Sequence, residues 1–305
     1  MVVDVIIPTY KPDKKFIDLV EKLNKQTVLP RKIIVMNTEE KLWNVILPEN
    51  ADNVEVHHIA KQEFDHGKTR DIGVGMSDAD ICVLMTMDAV PVDNTLLEEL
   101  IKPLLEEDGV AASYGRQMAY DYSSYTEKLT REYNYPAKPC IKSKEDIERL
   151  QIKAFFCSNV CCAYDRKTYV ELGGFIHKTI FNEDMIYAAK AVKAGYKIAY
   201  AADAKVYHSH EFTGAQQFHR NFDNGVSHAQ NPEVFEGIKQ EGEGMRMVKM
   251  VLSKLVKKGH LLQAIRYIWV TGCKYIGFKL GCRYTKLPKW LVMRCTSDKS
   301  YFSIS

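Results

Sequence analysis

The sequence predicts an α/β fold in which a mostly parallel sheet is flanked by helices and followed by a helical, basic C-terminal extension. Three observations predict it. Short apolar runs rich in β-branched residues recur as VVDVIIP (2–8), KIIVMN (32–37), VEVHH (54–58), ICVLMTM (81–87) and VAASYG (110–115). Helically spaced segments lie between them, and that alternation marks a parallel sheet covered on both faces. From Arg246 to the end, thirteen Lys or Arg face a single acid, Asp298.

The first run ends at Pro8 and reads as a buried strand. Residues 12–26 follow as a helix with Phe16, Leu19, Val20 and Leu23 on one face and Pro12 at its start. Residues 67–77 form a helix between the third and fourth strands. The polar, tyrosine-rich run 116–150 reads as an insertion or lid. AFFCSNVCCAY (154–164) returns to the core, and ELGGF (171–175) is a turn. NEDMIYAAKAVKAG (182–195) places Met185, Ala188, Ala189 and Val192 on one helical face and stops at Gly195. YKIAYAADAKVYHSH (196–210) supplies one or two strands, and 213–229 a polar, aromatic helix.

At 305 residues, 46% hydrophobic and 27% charged, the composition is that of a globular protein. No apolar run reaches the roughly 18 residues of a membrane span. Met1 leads directly into VVDVII without a leader or lipidation pattern, so a cytoplasmic protein is expected. Cys82, Cys157, Cys161 and Cys162 sit in apolar surroundings and read as core residues, and no C-x-x-C pair is present. The net charge of +3 divides into +12 for the tail and 3 − 12 = −9 for the rest. The tail also carries Tyr267, Trp269, Tyr275, Phe278 and Trp290, a mixture that suits an anionic membrane better than nucleic acid. Met247, Val248, Val251, Leu255 and Leu262 fall along one helical face, away from Lys249, Lys257 and Lys258. That stripe is expected to meet the headgroup boundary; the competing expectation is that it packs on the protein or at a subunit interface of a homo-oligomer.

Ligands of open α/β sheets sit beyond the carboxyl ends of the strands. Thr9, Asn37 and Asp88 fall there. Aspartate often caps a turn after a strand, but a lone carboxylate at this edge also suits a divalent cation bound with phosphates. Asp93 reads as the cap of a helix beginning near Thr95. Asn182-Glu183-Asp184 opens a helix, where acids favour the macrodipole; the functional reading makes Asp184 a general base. His208 and His210 share a face if VYHSH is extended, a spacing suited to metal ligation. In FDHGKTRDIGVG (64–75), Lys68 and Arg70 near a helix start can grip phosphate, while the glycine spacing matches neither a dinucleotide fingerprint nor a P-loop.

VDVIIPTYKP, FDHGKTRDIG, TMDAVP, SYGRQ, FFCSNVCCAY, ELGGF, NEDMIYAAKAVKAGY and YHSHEF occur in the order found in family-2 glycosyltransferases, and the chain most resembles their bacterial rhamnosyltransferase branch. YIGFKLGCRYTKLPKWL in the tail is similar to that branch too. The resemblance implies a GT-A fold, with a catalytic domain over 1–245 (nucleotide-binding half 1–115, acceptor-binding half 116–245) and an extension over 246–305. It implies inverting transfer of a sugar, with dTDP-L-rhamnose the favoured donor, to a glycan or lipid-linked acceptor. Pro8, Thr9, Tyr10, Asn37, Thr38, Lys68, Arg70, Met87 and Asp88 would line the donor site. Asp88 with His208 or His210 would hold Mg2+ or Mn2+. Asp184 would be the catalytic base, with Arg116, Gln117, Asn159, Gly174, Phe175 and Glu183 around the sugars. Phe155, Phe156 and Phe175 are candidates for a wall against the rhamnose methyl. Two departures stand out. Asp88-Ala89-Val90 lacks the last acid of the D-x-D metal motif, and Asn37 replaces the acid usual after the second strand. The competing readings are a UDP-hexose transferase, a nucleotidyltransferase, which IIPTYKPD fits poorly for want of glycines, and a non-catalytic membrane-docked module.

Overall fold

The computed structural model describes residues 1–235, 237–238 and 241–303. In chain order it forms β1 (Val3–Thr9), α1 (Lys14–Leu23), β2 (Lys32–Thr38), β3 (Val54–Ile59), α2 (His66–Gly75), β4 (Ile81–Met85), β5 (Val90–Pro91), α3 (Leu96–Glu106), β6 (Val110–Met118), α4 (Tyr125–Asn134) and β7 (Cys140–Lys142). There follow α5 (Ile147–Leu150), β8 (Cys161–Asp165), α6 (Arg166–Glu171), α7 (Glu183–Lys193), β9 (Lys197–Tyr207), α8 (Gly214–Gln230), α9 (Pro232–Phe235), α10 (Glu241–Lys257), α11 (Leu261–Gly281), α12 (Lys289–Cys295) and α13 (Lys299–Ser303). The chain divides into two compact units. The first comprises residues 1–120, 134–178 and 183–209; the second comprises 121–133, 179–182 and the chain from His210 on.

The first unit is built on one nine-stranded sheet ordered β3-β2-β1-β4-β8-β6-β9-β5, with β7 against β9. β3, β2, β1 and β4 are parallel neighbours, as alternating strands and helices predict. Beyond β4 the sheet is mixed. β8 is antiparallel to both β4 and β6, β6 and β9 are parallel, and β5 and β7 run antiparallel to β9. The segment 196–210 makes one strand, whose pairing with β6 jumps between Gly115 and Arg116. A Cβ on Gly115 would stand 2.8 Å from the Ala204 carbonyl oxygen, so this irregularity needs glycine.

Each element follows from local chemistry. In α1, Phe16, Leu19, Val20 and Leu23 are all fully buried, and Asp13 caps the helix by accepting the Lys15 N–H at 2.9 Å. Asp93 accepts from the Thr95 N–H and hydroxyl just ahead of α3, while Thr95 itself holds the cap position. At the amino end of the sheet, Asp4 is fully buried and fully partnered, accepting from Arg31 Nε (3.0 Å), Arg31 Nη2 (2.6 Å) and Ser77 Oγ (2.6 Å). Cys82, Cys157, Cys161 and Cys162 are buried, unpaired thiols in the core.

In the second unit α8 and α11 meet backbone to backbone. A Cβ on Gly277 would lie 2.3 Å from the Phe218 carbonyl oxygen, and one on Gly281 2.0 Å from that of Phe222. The expected boundary after residue 245 falls inside α10, and contacts group the tail with α8. The expected membrane stripe of 247–262 is corrected. Val251 and Leu255 are fully buried in a cluster with Leu129, Ala264 and Tyr267, and Met247 and Val248 pack against it. Leu262 belongs to α11 instead. Gly259, at φ +73°, ends the first helix, so the apparent period ran across a break. Among the described residues, no helix is long and apolar enough to cross a membrane.

Candidate active site

Strand register assembles the site at the carboxyl ends of β1, β2 and β4. Opposite Met85, the last residue of β4, stands Cys161, the first of β8. The loop before Cys161, which holds Asn159, therefore shares an edge with the turn after Met85, which holds Asp88. In the same way Val90 of β5 pairs with Tyr207 of β9, which brings the turn just before β5, holding Asp88, against His208 just after β9. His208 Nε2 thus lies 3.6 Å from Asp88 Oδ1.

His208 is oriented by its other nitrogen. Nδ1–H donates to Gln117 Oε1 at 2.9 Å, and this hydrogen bond holds the ring with Nε2 facing Asp88. Gln117 is itself fixed, donating through Nε2 to Ser158 Oγ at 3.0 Å and to the Tyr135 hydroxyl. At 3% exposure Gln117 is an orienting residue, which corrects its expected place against a sugar. A carboxylate and a correctly turned imidazole at this spacing fit a divalent cation. His210, the other expected ligand, opens the second unit, where its ring stacks on Phe212.

The second cluster centres on two adjacent carboxyls at the start of α7. Asp184 Oδ2 accepts the Asn159 backbone N–H at 2.9 Å, and Glu183 Oε1 accepts from Asn159 Nδ2 at 3.0 Å. The Tyr164 hydroxyl donates to Asn159 Oδ1 at 2.7 Å. Asn159, 3% exposed, is thus a scaffold for both acids. Arg70 Nη1 lies 3.3 Å from Glu183 Oε1, both side chains being buried. Burial opposes ionisation of Glu183, but Arg70, with His66 and Asn159, holds it below the usual carboxylate range. Asp184 goes the other way. Burial and the neighbouring Glu183 charge push it up to about 7. The two adjacent carboxyls are thus pushed apart, one held ionised and the other raised.

The remaining expected residues divide. Thr9 is buried and donates from Oγ1 to Asn37 Oδ1 at 3.1 Å, while Asn37 Nδ2 donates to His58 Nδ1 at 2.9 Å. The Thr38 hydroxyl is buried without a partner, as is that of Thr86, a residue the sequence did not single out. Two orphaned hydroxyls at one edge are consistent with a bound polar ligand. Tyr10 is 42% exposed, Pro8 and Met87 are half-buried, and Arg116 donates from Nε to the Tyr135 carbonyl. The start of α2 offers its first amides to no phosphate beside Lys68. Asp65 caps α2 by accepting the N–H groups of Gly67 and Lys68, so these amides are used locally. Gly67 serves close packing, since a Cβ there would meet the Ile176 carbonyl oxygen at 1.9 Å. Lys68 is exposed, whereas Arg70 is engaged with Glu183. Phe175 and Phe155 are also corrected. They are 3% and 0% exposed, Phe175 among Tyr164, Tyr169 and Tyr187, so their rings are core and wall no ligand. Phe156, half-buried, packs edge-on to Tyr114 and Tyr135. Gly174, at φ +65°, turns the backbone so that Phe175 N–H reaches Asp71.

Residues 2–224 match glycosyltransferase-like family 2, and the chain belongs to that family. It is 36% identical over 307 residues to the O-antigen chain rhamnosyltransferase RfbN of Salmonella typhimurium, covering 99% of this chain and 96% of the relative. It is 36% identical over 305 residues to the O-antigen chain rhamnosyltransferase WbaN of Salmonella anatum, covering 98% and 95%. Among solved structures it is similar to the mannosyltransferase PcManGT of Pyrobaculum calidifontis in complex with GDP-Man and Mn2+, with TM-score 0.56, 13% identity and coverage of 93% and 88%. It is also similar to residues 1–349 of S. aureus TarS, with TM-score 0.52, 12% identity and coverage of 94% and 91%. The fold is the GT-A fold of this family.

Proposed function

We propose that this glycosyltransferase moves L-rhamnose from dTDP-L-rhamnose, with inversion, to a hydroxyl of a growing cell-surface or lipid-linked glycan. The observation that carries the chemistry is the split carboxyl pair, with Asp184 raised to about 7 beside an ionised Glu183. Whole-length identity to two rhamnosyltransferases supports the sugar.

In this reading Asp184 accepts the proton of the acceptor hydroxyl as that oxygen bonds to the anomeric carbon and the bond to the diphosphate oxygen breaks. One displacement inverts the centre, the proton ends on Asp184, and no covalent intermediate forms. Burial and the Glu183 charge raise Asp184 to about 7, while Asn159 holds its direction. Asp88 and His208 would hold Mg2+ or Mn2+, which would supply positive charge against the departing diphosphate. Tyr10 and Thr38 would meet the nucleoside and Thr86 the diphosphate, with Pro8, Thr9 and Met87 shaping the cleft. Lys68 remains a phosphate contact from solvent, Asn37 and Arg116 act from the surrounding network, and Gly174 from the turn facing Asp71. The enzyme works on the inner face of the cell membrane, where lipid-linked acceptors are presented.

A donor screen with Mn2+ present tests the reading. Turnover with dTDP-L-rhamnose should exceed that with UDP-glucose and UDP-galactose. Faster turnover with a UDP-hexose would contradict it, and nucleotidyl transfer without sugar transfer would replace it.

A further inference from the structure

We propose that the outer face of α11 is a lipid-docking surface, lying in the plane of an anionic bilayer. The proposal rests on the peripheral placement above and names the residues that achieve it. Toward the protein, α11 is closed off. Ala264 and Tyr267 enter the α10 cluster, and Gly277 and Gly281 press against the α8 backbone. The opposite side is apolar and exposed, with the Trp269 ring at its edge beside Gly214 of α8. Leu261, Ile265, Ile268 and Ile276 are each more than half exposed, with Trp269 at 70% and Leu262 at 84%. Positions 261, 265, 268, 272 and 276 follow the helical repeat, so they form one stripe, about 22 Å long at 1.5 Å per residue. Position 272 is an exposed glycine, so no polar side chain interrupts the stripe. Soluble proteins rarely leave so continuous an apolar strip to water.

Charge decides what covers it. Between residues 246 and 297 the sequence has no acid. Exposed Lys257 and Lys258 precede the stripe, Arg266 lies at its margin, and exposed Arg283, Lys286 and Lys289 follow it. A second copy docked face to face would bring two sets of uncompensated cations together. Anionic headgroups complement the same pattern, and the cations can reach them while the stripe enters the acyl boundary. Trp269, Tyr275 and Trp290, all more than half exposed, are the residue types that settle at that boundary.

The test is flotation of the full chain with vesicles of phosphatidylethanolamine and phosphatidylglycerol, against vesicles of phosphatidylcholine. The wild type should float with the anionic vesicles and be largely released by high salt. Ile265→Ser/Trp269→Ser should bind at least about 100-fold more weakly, the scale of losing two buried large apolar side chains, with unchanged melting and unchanged transfer to a water-soluble acceptor. Lys286→Glu/Lys289→Glu should also bind more weakly. Equal flotation of wild type and variants would overturn the proposal. So would a concentration-dependent dimer, lost in Ile265→Ser/Trp269→Ser, with no vesicle binding, because a second copy would then cover the face. Flotation requires no sugar nucleotide, so failure of the donor assignment leaves this result readable on its own.

Discussion

Arg70 Nη1 stands 3.3 Å from Glu183 Oε1, with only 7% and 6% of the two side chains exposed. Through that ion pair two adjacent carboxyls hold different protonation states, because Glu183 keeps its charge and its charge helps to raise Asp184.

Removing the cation should therefore be severe. Arg70→Met leaves a buried carboxylate uncompensated, a change that costs about 3–5 kcal/mol. Urea denaturation at pH 8 checks this. Arg70→Lys should retain part of the stability. Equal stability of Arg70→Met and wild type would show that Glu183 does not depend on Arg70 for its charge.

The raised Asp184 predicts a pH dependence of defined sign. Its folded value is about 7. In the unfolded chain it titrates near the ordinary aspartate value of about 4. Between these values the native state binds more protons, so this group's contribution to stability falls as pH rises through that window and is level above it. The stability difference between wild type and Asp184→Asn should change over that interval alone. The activity of the wild type should rise through about pH 7 as the carboxylate forms.

Gln117 reaches the proposed metal only through His208. Gln117→Leu frees the imidazole to rotate and should weaken Mn2+ binding about 10–100-fold, as loss of an orienting partner commonly does. Calorimetric titration with Mn2+ in the presence of dTDP reads this directly. Unchanged affinity would mean that His208 is held by its backbone alone.

In the helical unit, Gly281→Ala sets two effects against each other. Alanine gains about 1 kcal/mol in a helix. Its Cβ, however, would lie 2.0 Å from the Phe222 carbonyl oxygen, so α8 and α11 must part. Overpacking of this kind costs about 1–3 kcal/mol and should win. Thermal melting should show a lowered midpoint, and a raised one would mean that the helices part easily.

The parallel half of the sheet was legible because β1, β2 and β4 are short, mostly apolar runs and helical spacing lies between them. Asp88 and Asp184 were legible from their places at a strand end and a helix start. The partners that make them functional were not. Gln117 meets His208 across 91 residues and Asn159 meets Asp184 across 25, and both meetings depend on the registers of β9 and β8. Arg70 looked like a phosphate ligand because a helix start and a positive charge suggest one, but burial gave it to Glu183. Phe175 was misplaced for a similar reason, since composition does not show which aromatic rings pack together. The α10 stripe was real, but Leu129 and Tyr267 cover it, and only the break at Gly259 shows that Leu262 belongs elsewhere.

The central claim is that Asp184 is the base of a single displacement at rhamnose. Turnover of Asp184→Asn with dTDP-L-rhamnose, measured alongside its dTDP affinity and melting temperature, tests this most directly. The account predicts a loss of about 10²–10⁴-fold in kcat with nucleotide affinity intact. Wild-type turnover with a melting temperature lowered as by a lost helix cap, about 1 kcal/mol, would contradict it and leave Asp184 a structural residue.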